Sequence, residues 1–318
     1  MAGRIVRVVA AAALAAGLVA AQGVAHVASA DESDDPVGYA FGQSAKGAGA
    51  GARCNFYKVD LKTGAATQLN PAGQPVVCGD GLTFDEDGTL FAYRNHNTTG
   101  LGSSDLITVD KHNGTEQVVG QLPAIPVGGG GMTFDADGHL WLYGITFNNP
   151  ACGPSGTYCL WKVNPDTAAA SVVGAAPTGR GVFGLAGDCE DVIAITGIVD
   201  VGIPKQTRLD EVNTKNAALE KIVDLPTVAF PTGLDFDDEG ELWAIGNAPF
   251  KGAGIGSIVY HIDPDDGSAG ARDVTLNGAQ LNTFLTGLAV SPIHCEDPKR
   301  PAPSPQPVPV VVAPVFTG

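Results

Sequence analysis

The chain has 318 residues, 44% hydrophobic and 16% charged, with 34 acidic side chains against 18 basic ones and a net charge of −16. A surface this acidic repels nucleic acid and anionic membranes, so both are excluded as partners. It is compatible with cationic partners but names none.

Residues 1–30 read as a secretory signal peptide. Arg4 and Arg7 give a positive start, "VVAAAALAAGLVAA" an apolar core, and Ala28–Ala30 an A-x-A cleavage site before Asp31. Losing those two arginines takes the net charge from −16 to −18. No other segment has the apolar length of a membrane span. The mature chain is therefore expected to be secreted and extracellular, with a short disordered start over 31–36.

Next comes "VGYAFGQ", Val37 to Gln43, which fits a single strand. "FYKVDLKTGAATQL", from Phe56, fits a pair. A motif then appears three times: "GLTFDEDGTLFAY" from Gly81, "GMTFDADGHLWLY" from Gly131 and "GLDFDDEGELWAI" from Gly233. Each reads as a strand, a tight turn and a second strand with alternating apolar residues. Degenerate copies start at Gly184 ("GLAGDCEDVIAI") and Gly287 ("GLAVSPIHCED"), so the period is about fifty residues. Between the copies lie further strand pairs joined by D/N-x-x-x-G-like turns, as in "LITVDKHNGTEQVVG".

This is the pattern of a β-propeller with four antiparallel strands per blade. The ends are complementary. The start supplies second, third and fourth strands, and the last motif supplies a first strand. The predicted fold is an all-β, five-bladed propeller over 37–297, closed by pairing N- and C-terminal strands in one blade. From Pro298 the chain turns Pro- and Val-rich, which predicts a disordered tail over 298–318, or a spacer through a cell wall.

The D-x-D-G segments fall where adjacent strands reverse, and Asp and Gly suit such turns directly. An EF-hand calcium loop needs alternating acidic ligands closed by a glutamate at the twelfth position, which none of them offers. No metal and no cofactor is expected.

Repeats of the form G-L-x-F-D-x-D-G-x-L-W resemble those of secreted bacterial propellers. That group includes the NHL, SMP-30/gluconolactonase and streptogramin-lyase-like families and similar actinobacterial proteins. The resemblance covers nearly the whole mature domain, rests on structural residues and implies the fold; fold alone does not give function. The lactonase group holds a divalent metal with a Glu, an Asn and an Asp near the axis, a triad that finds no match here. The lyase group uses histidines in a central cleft, where His96 is the one candidate.

Aligned copies place the loops joining second to third strands, and fourth to next first strands, on one face. These loops are long and rich in Gly, Asn and Ser. Asp80, His96 and Arg180 are the catalytic candidates there, and Gln43, Arg94, Asn95, Thr232 and Asn247 the binding candidates. No G-x-S-x-G nucleophile motif occurs. Asp235 stands where other repeats have Thr or Ala, and is expected to be hydrogen-bonded structure. Trp141 and Trp243 share a slot with Phe91 and read as packing between blades.

The six cysteines predict three disulfides: Cys152–Cys159 within one loop, Cys54–Cys78 in neighbouring loops, and Cys189–Cys295 on the opposite face. The expected function is a monomeric, non-enzymatic binding or interaction propeller whose ligand, protein or cell-wall partner meets that loop face. The alternatives are a lyase or hydrolase, lactonase-like, at the channel mouth, and a cell-surface structural protein.

Overall fold

The computed structural model describes residues 35–43, 53–95, 104–122, 130–146, 149–154, 156–200, 203–249, 255–290 and 292. The predicted signal peptide and tail lie outside them, as do His96 and Cys295. Among the described residues no helix is long and apolar enough to cross a membrane.

The protein is a five-bladed β-propeller. Blade one contains Gly79–Phe84, Leu90–Asn95, Ser104–Val109 and Glu116–Leu122, paired antiparallel in that order. Blades two, three and four begin with Gly130–Phe134, Arg180–Gly187 and Pro231–Phe236. Blade five draws on both ends of the chain: Phe284–Ala289 is innermost, then Val37–Gln43, Arg53–Asp60 and Ala65–Gln68. A short ribbon not foreseen from the repeats, Thr275–Leu276 with Ala279–Gln280, adds to this blade's outer edge and pairs parallel with Ala65 and Ala66.

The recurring glycine has a reason that the turn pattern does not supply. The five first strands meet at the axis, and three of the glycines, Gly131, Gly184 and Gly233, pack their backbone on the next blade. A Cβ on Gly131 would lie 2.2 Å from the Leu185 nitrogen, one on Gly184 2.8 Å from the Leu234 nitrogen, and one on Gly233 2.6 Å from the Leu288 nitrogen. Contacts below about 3 Å cannot be accommodated by backbone. The result is an axis ringed by Gly and Leu/Met that leaves no space for a water molecule. The axis itself therefore has no room for a ligand.

The turns follow from the sequence. Asp85, Asp135 and Asp237 each accept two backbone N–H groups of their own turn through Oδ1, at 2.7–3.1 Å. Trp141 Nε1 donates to Asp135 at 2.7 Å and Trp243 Nε1 to Asp237 at 2.8 Å. The indoles thus pack between blades and also lock the first aspartate of the turn that precedes them.

Cys54–Cys78 and Cys152–Cys159 are disulfides, with S–S distances of 1.97 and 2.11 Å. Cys189 is also disulfide-bonded.

Candidate functional site

First strands begin, and second strands end, on the same face, here called upper. At the start of blade one's first strand stands Asp80, which faces Tyr93 directly across the ladder. Opposed residues of an antiparallel pair share one side of the sheet. Asp80 is partly exposed at the rim yet walled in by protein, and burial pushes its carboxyl up to about 6, with the neighbouring Thr286 hydroxyl pulling the other way. Thr286 itself donates to the Gly79 carbonyl at 3.1 Å.

Tyr93 is 1% exposed, and among the described residues its hydroxyl has no hydrogen-bond partner. Burial holds this phenol well above its ordinary range, with Asp80 and then Tyr158 adding to the effect. A buried hydroxyl left unpaired costs about 1–3 kcal/mol. Tyr93 escaped the sequence reading because the alternation in "LFAY" marks it as core, and it is core except for its oxygen.

The other predicted residues divide. Arg94 is held on blade one by Asp105, at 3.0 Å, and by Glu116. Its charge is spent inside the blade. Asn247 is 1% exposed and has all its polar capacity in use: Nδ2 donates to Thr232 Oγ1 and the Leu285 carbonyl, while Oδ1 accepts from Ser257 Oγ and the Leu285 N–H, at 3.1–3.2 Å. Thr232 Oγ1 in turn donates to the Leu285 carbonyl at 2.7 Å. Asn247 and Thr232 therefore fasten the last strand to blade four. Gln43 is partly exposed, and its carbonyl accepts the Thr283 hydroxyl at 2.6 Å. Asn95 ends its strand on the upper face.

Arg180 opens blade three's first strand on the same face and donates to Thr196 Oγ1 at 3.2 Å. Thr196 is buried and donates onward to Asp210, which also accepts Arg208 Nε at 2.9 Å. Thr196, Arg208 and Asp210 carried no signal in sequence, since strand register alone brings them together.

Asp235 is 4% exposed. Its carboxylate accepts the N–H of Val290 at 2.8 Å and of Phe236 at 3.0 Å, the hydrogen-bonded structural role expected for it. Burial raises its carboxyl well above the usual range, partly opposed by these two bonds.

On the opposite face a cleft of about 360 Å³ between blades two and three is lined by Asp135, Asp137, Asp188, Asp191 and Glu211, among others. Donor atoms of Asp135, Asp137 and His139 lie within 4.8 Å of one another. Asp135, however, is already engaged by two N–H groups, Trp141 and His139, at 2.7–3.1 Å, so the turn accounts for the cluster. Nor, among the described residues, do Asn247 and Asp235 fit the axial metal set of the lactonase group. Asn247 has no free oxygen and Asp235 is sealed under the last strand.

No protein-family model matches the sequence, and no curated protein matches it. Solved structures do. An exo-β-1,3-galactanase from Phanerochaete chrysosporium aligns with TM-score 0.52 at 10% identity, over 71% of this chain and 58% of its own. A periplasmic gluconolactonase from Pseudomonas aeruginosa gives 0.41 at 16%, over 76% and 82%. An α-L-arabinanase from Penicillium chrysogenum gives 0.44 at 11%, over 67% and 72%. At these identities the likeness is one of fold.

The galactanase, which aligns with a TM-score above 0.5, is nonetheless an enzyme, and it overturns the expectation of a non-enzymatic binding propeller. That expectation rested on finding no catalytic constellation in the sequence. It gave too little weight to Asp80, whose burial and tyrosine neighbour become visible only once the strands are in register.

Proposed function

We propose that this protein is a hydrolase acting at the upper mouth of its plugged channel, with a cyclic ester as substrate. One observation carries the reading: a carboxyl lifted to about 6 lies across the ladder from a buried phenol whose oxygen has no partner among the described residues. Carboxyls tuned toward neutrality and unpaired polar groups are typical of sites that await a substrate. The galactanase's name records hydrolysis on a scaffold of this fold.

In this mechanism ionised Asp80 takes a proton from water as the water oxygen attacks the ester carbonyl carbon. The ring C–O bond then breaks, and the departing oxygen takes that proton back. One water is consumed and one hydroxy acid formed. The Tyr93 hydroxyl, neutral at all relevant pH, is an uncommitted donor beside the reacting groups. Glycoside hydrolysis fits less well because it requires two working carboxyl groups. Asp105 and Asp210, two further buried carboxylates, are both tied to arginines.

We place the protein outside the cytoplasm, on the strength of the predicted leader and the disulfides. The test is hydrolysis of D-glucono-1,5-lactone and related sugar lactones by the oxidised protein, with a glycoside panel alongside. Turnover should fall about 100-fold or more in Asp80→Asn, with the circular dichroism spectrum unchanged. Absence of lactone turnover, or an Asp80→Asn variant as active as the parent, would refute the proposal.

A further inference from the structure

Blade three carries an arrangement that neither the fold nor the hydrolytic step requires. Asp210 is fully buried. Its carboxylate pairs with Arg208 through Nε at 2.9 Å and Nη2 at 2.5 Å, and also accepts the Thr196 hydroxyl. Thr196, buried in turn, presents its oxygen to Arg180 Nη1 at 3.2 Å. A self-contained ion pair would need one guanidinium; two are gathered here. Arg180 makes that single hydrogen bond, is partly exposed, and feels the like charge of Arg208. Arg180 also feels the carboxylates of Asp210 and Asp224, and Asp224 is shared with Lys221 at 2.5 Å. Among these five side chains the cations outnumber the carboxylates by three to two, on a chain whose overall charge is −16.

We propose that Arg180 and Arg208 form a carboxylate-binding subsite, aimed by buried Asp210 directly at Arg208 and through Thr196 at Arg180. The planar guanidinium offers parallel N–H donors spaced for a carboxylate, which lysine does not. Arg180 has donors to spare, and an anion between two like charges relieves their repulsion. The inference rests on the hydrolase reading and deepens it: the substrate is a lactone that also carries a free carboxylate, as a sugar-diacid monolactone does. Asp210 and Thr196 are positioning residues, and Arg180 touches the ligand.

Isothermal titration calorimetry on the full chain tests this, with D-glucuronate as the carboxylate probe and D-glucose and inorganic phosphate as separate arms. Glucuronate should bind measurably and glucose should not, with phosphate at least ten-fold weaker than glucuronate. Arg180→Gln should weaken glucuronate at least ten-fold. Thr196→Val should weaken it less, since the guanidinium remains but is no longer aimed. Arg180 is partly exposed and makes one bond, so its replacement leaves the core intact. Asp80→Asn, inactive on the hydrolase reading, should still bind glucuronate, which separates failure of the subsite from failure of the chemistry. Glucuronate binding unaffected by Arg180→Gln, glucose or phosphate bound as tightly as glucuronate, or no glucuronate binding at all would each overturn the subsite.

Discussion

Asp80 illustrates how a single side chain can lower stability in the service of chemistry. Its folded carboxyl, at about 6, lies above the ordinary value of 3.8, so the folded state binds the proton more tightly than the unfolded one. Its contribution to stability is therefore fully present below about 4 and is lost as pH rises through about 6. Asp80→Asn mimics the protonated form. It should stabilise the protein by ~1–3 kcal/mol at pH 7 and make no difference near pH 4, which thermal melts at the two pH values would show. Because the base must be ionised, kcat/KM should rise with pH and level off above about 6, and a flat profile through that window would remove Asp80 from the role. The site was half legible in the sequence. Asp80 and Arg180 could be picked out because charged residues at the tops of inner strands break the repeat. Tyr93, Thr196 and Asp210 could not, because each is an ordinary strand residue until register sets it beside its partner.

At the scale of the element, the same letter does two different jobs in one motif. The first glycine of the repeats at Gly131, Gly184 and Gly233 packs against backbone of the next blade, while the glycine of D-x-D-G turns the chain. Gly131 has the Leu185 nitrogen 2.2 Å from where a Cβ would sit; Gly138, at φ +75°, has nothing within 4 Å. Gly131→Ala should therefore cost more than about 3 kcal/mol, or prevent folding, and Gly138→Ala only about 1 kcal/mol. Urea unfolding of the two variants compares them directly, and equal losses would show that the axis is not closed as described. The first aspartate of the turn is similarly committed. Asp237→Ala strips two turn N–H groups and the Trp243 indole of their acceptor and should cost about 2–4 kcal/mol. The turn reading was available from sequence because Asp and Gly act locally. The indole bond was not, because it joins residues 237 and 243 across a hairpin.

The whole molecule depends on how its ring is closed. Blade five was foreseen because the repeats leave one first strand at the end and three unclaimed strands at the start. What could not be read was the fastening. Asp235 holds the Val290 N–H below, Asn247 and Thr232 hold Leu285 above, and the Thr283 hydroxyl reaches back to Gln43. The threonine bond recurs one interface on, where Thr286 donates to the Gly79 carbonyl at 3.1 Å. Cys54–Cys78 adds a covalent tie between blade five and the segment entering blade one. Replacing that pair by alanine should cost about 2–4 kcal/mol in urea unfolding, and a loss below about 1 kcal/mol would show that the hydrogen-bonded fastening suffices.

The same closure sets an order of events during biosynthesis. Val37–Gln43 is made early, but its inner partner Phe284–Ala289 emerges from the ribosome only after four complete blades. Until then the ring is an open arc with an unpaired edge at each end, and its last step joins segments about 240 residues apart. A nascent chain of this design cannot finish its ring before its last strand has been made.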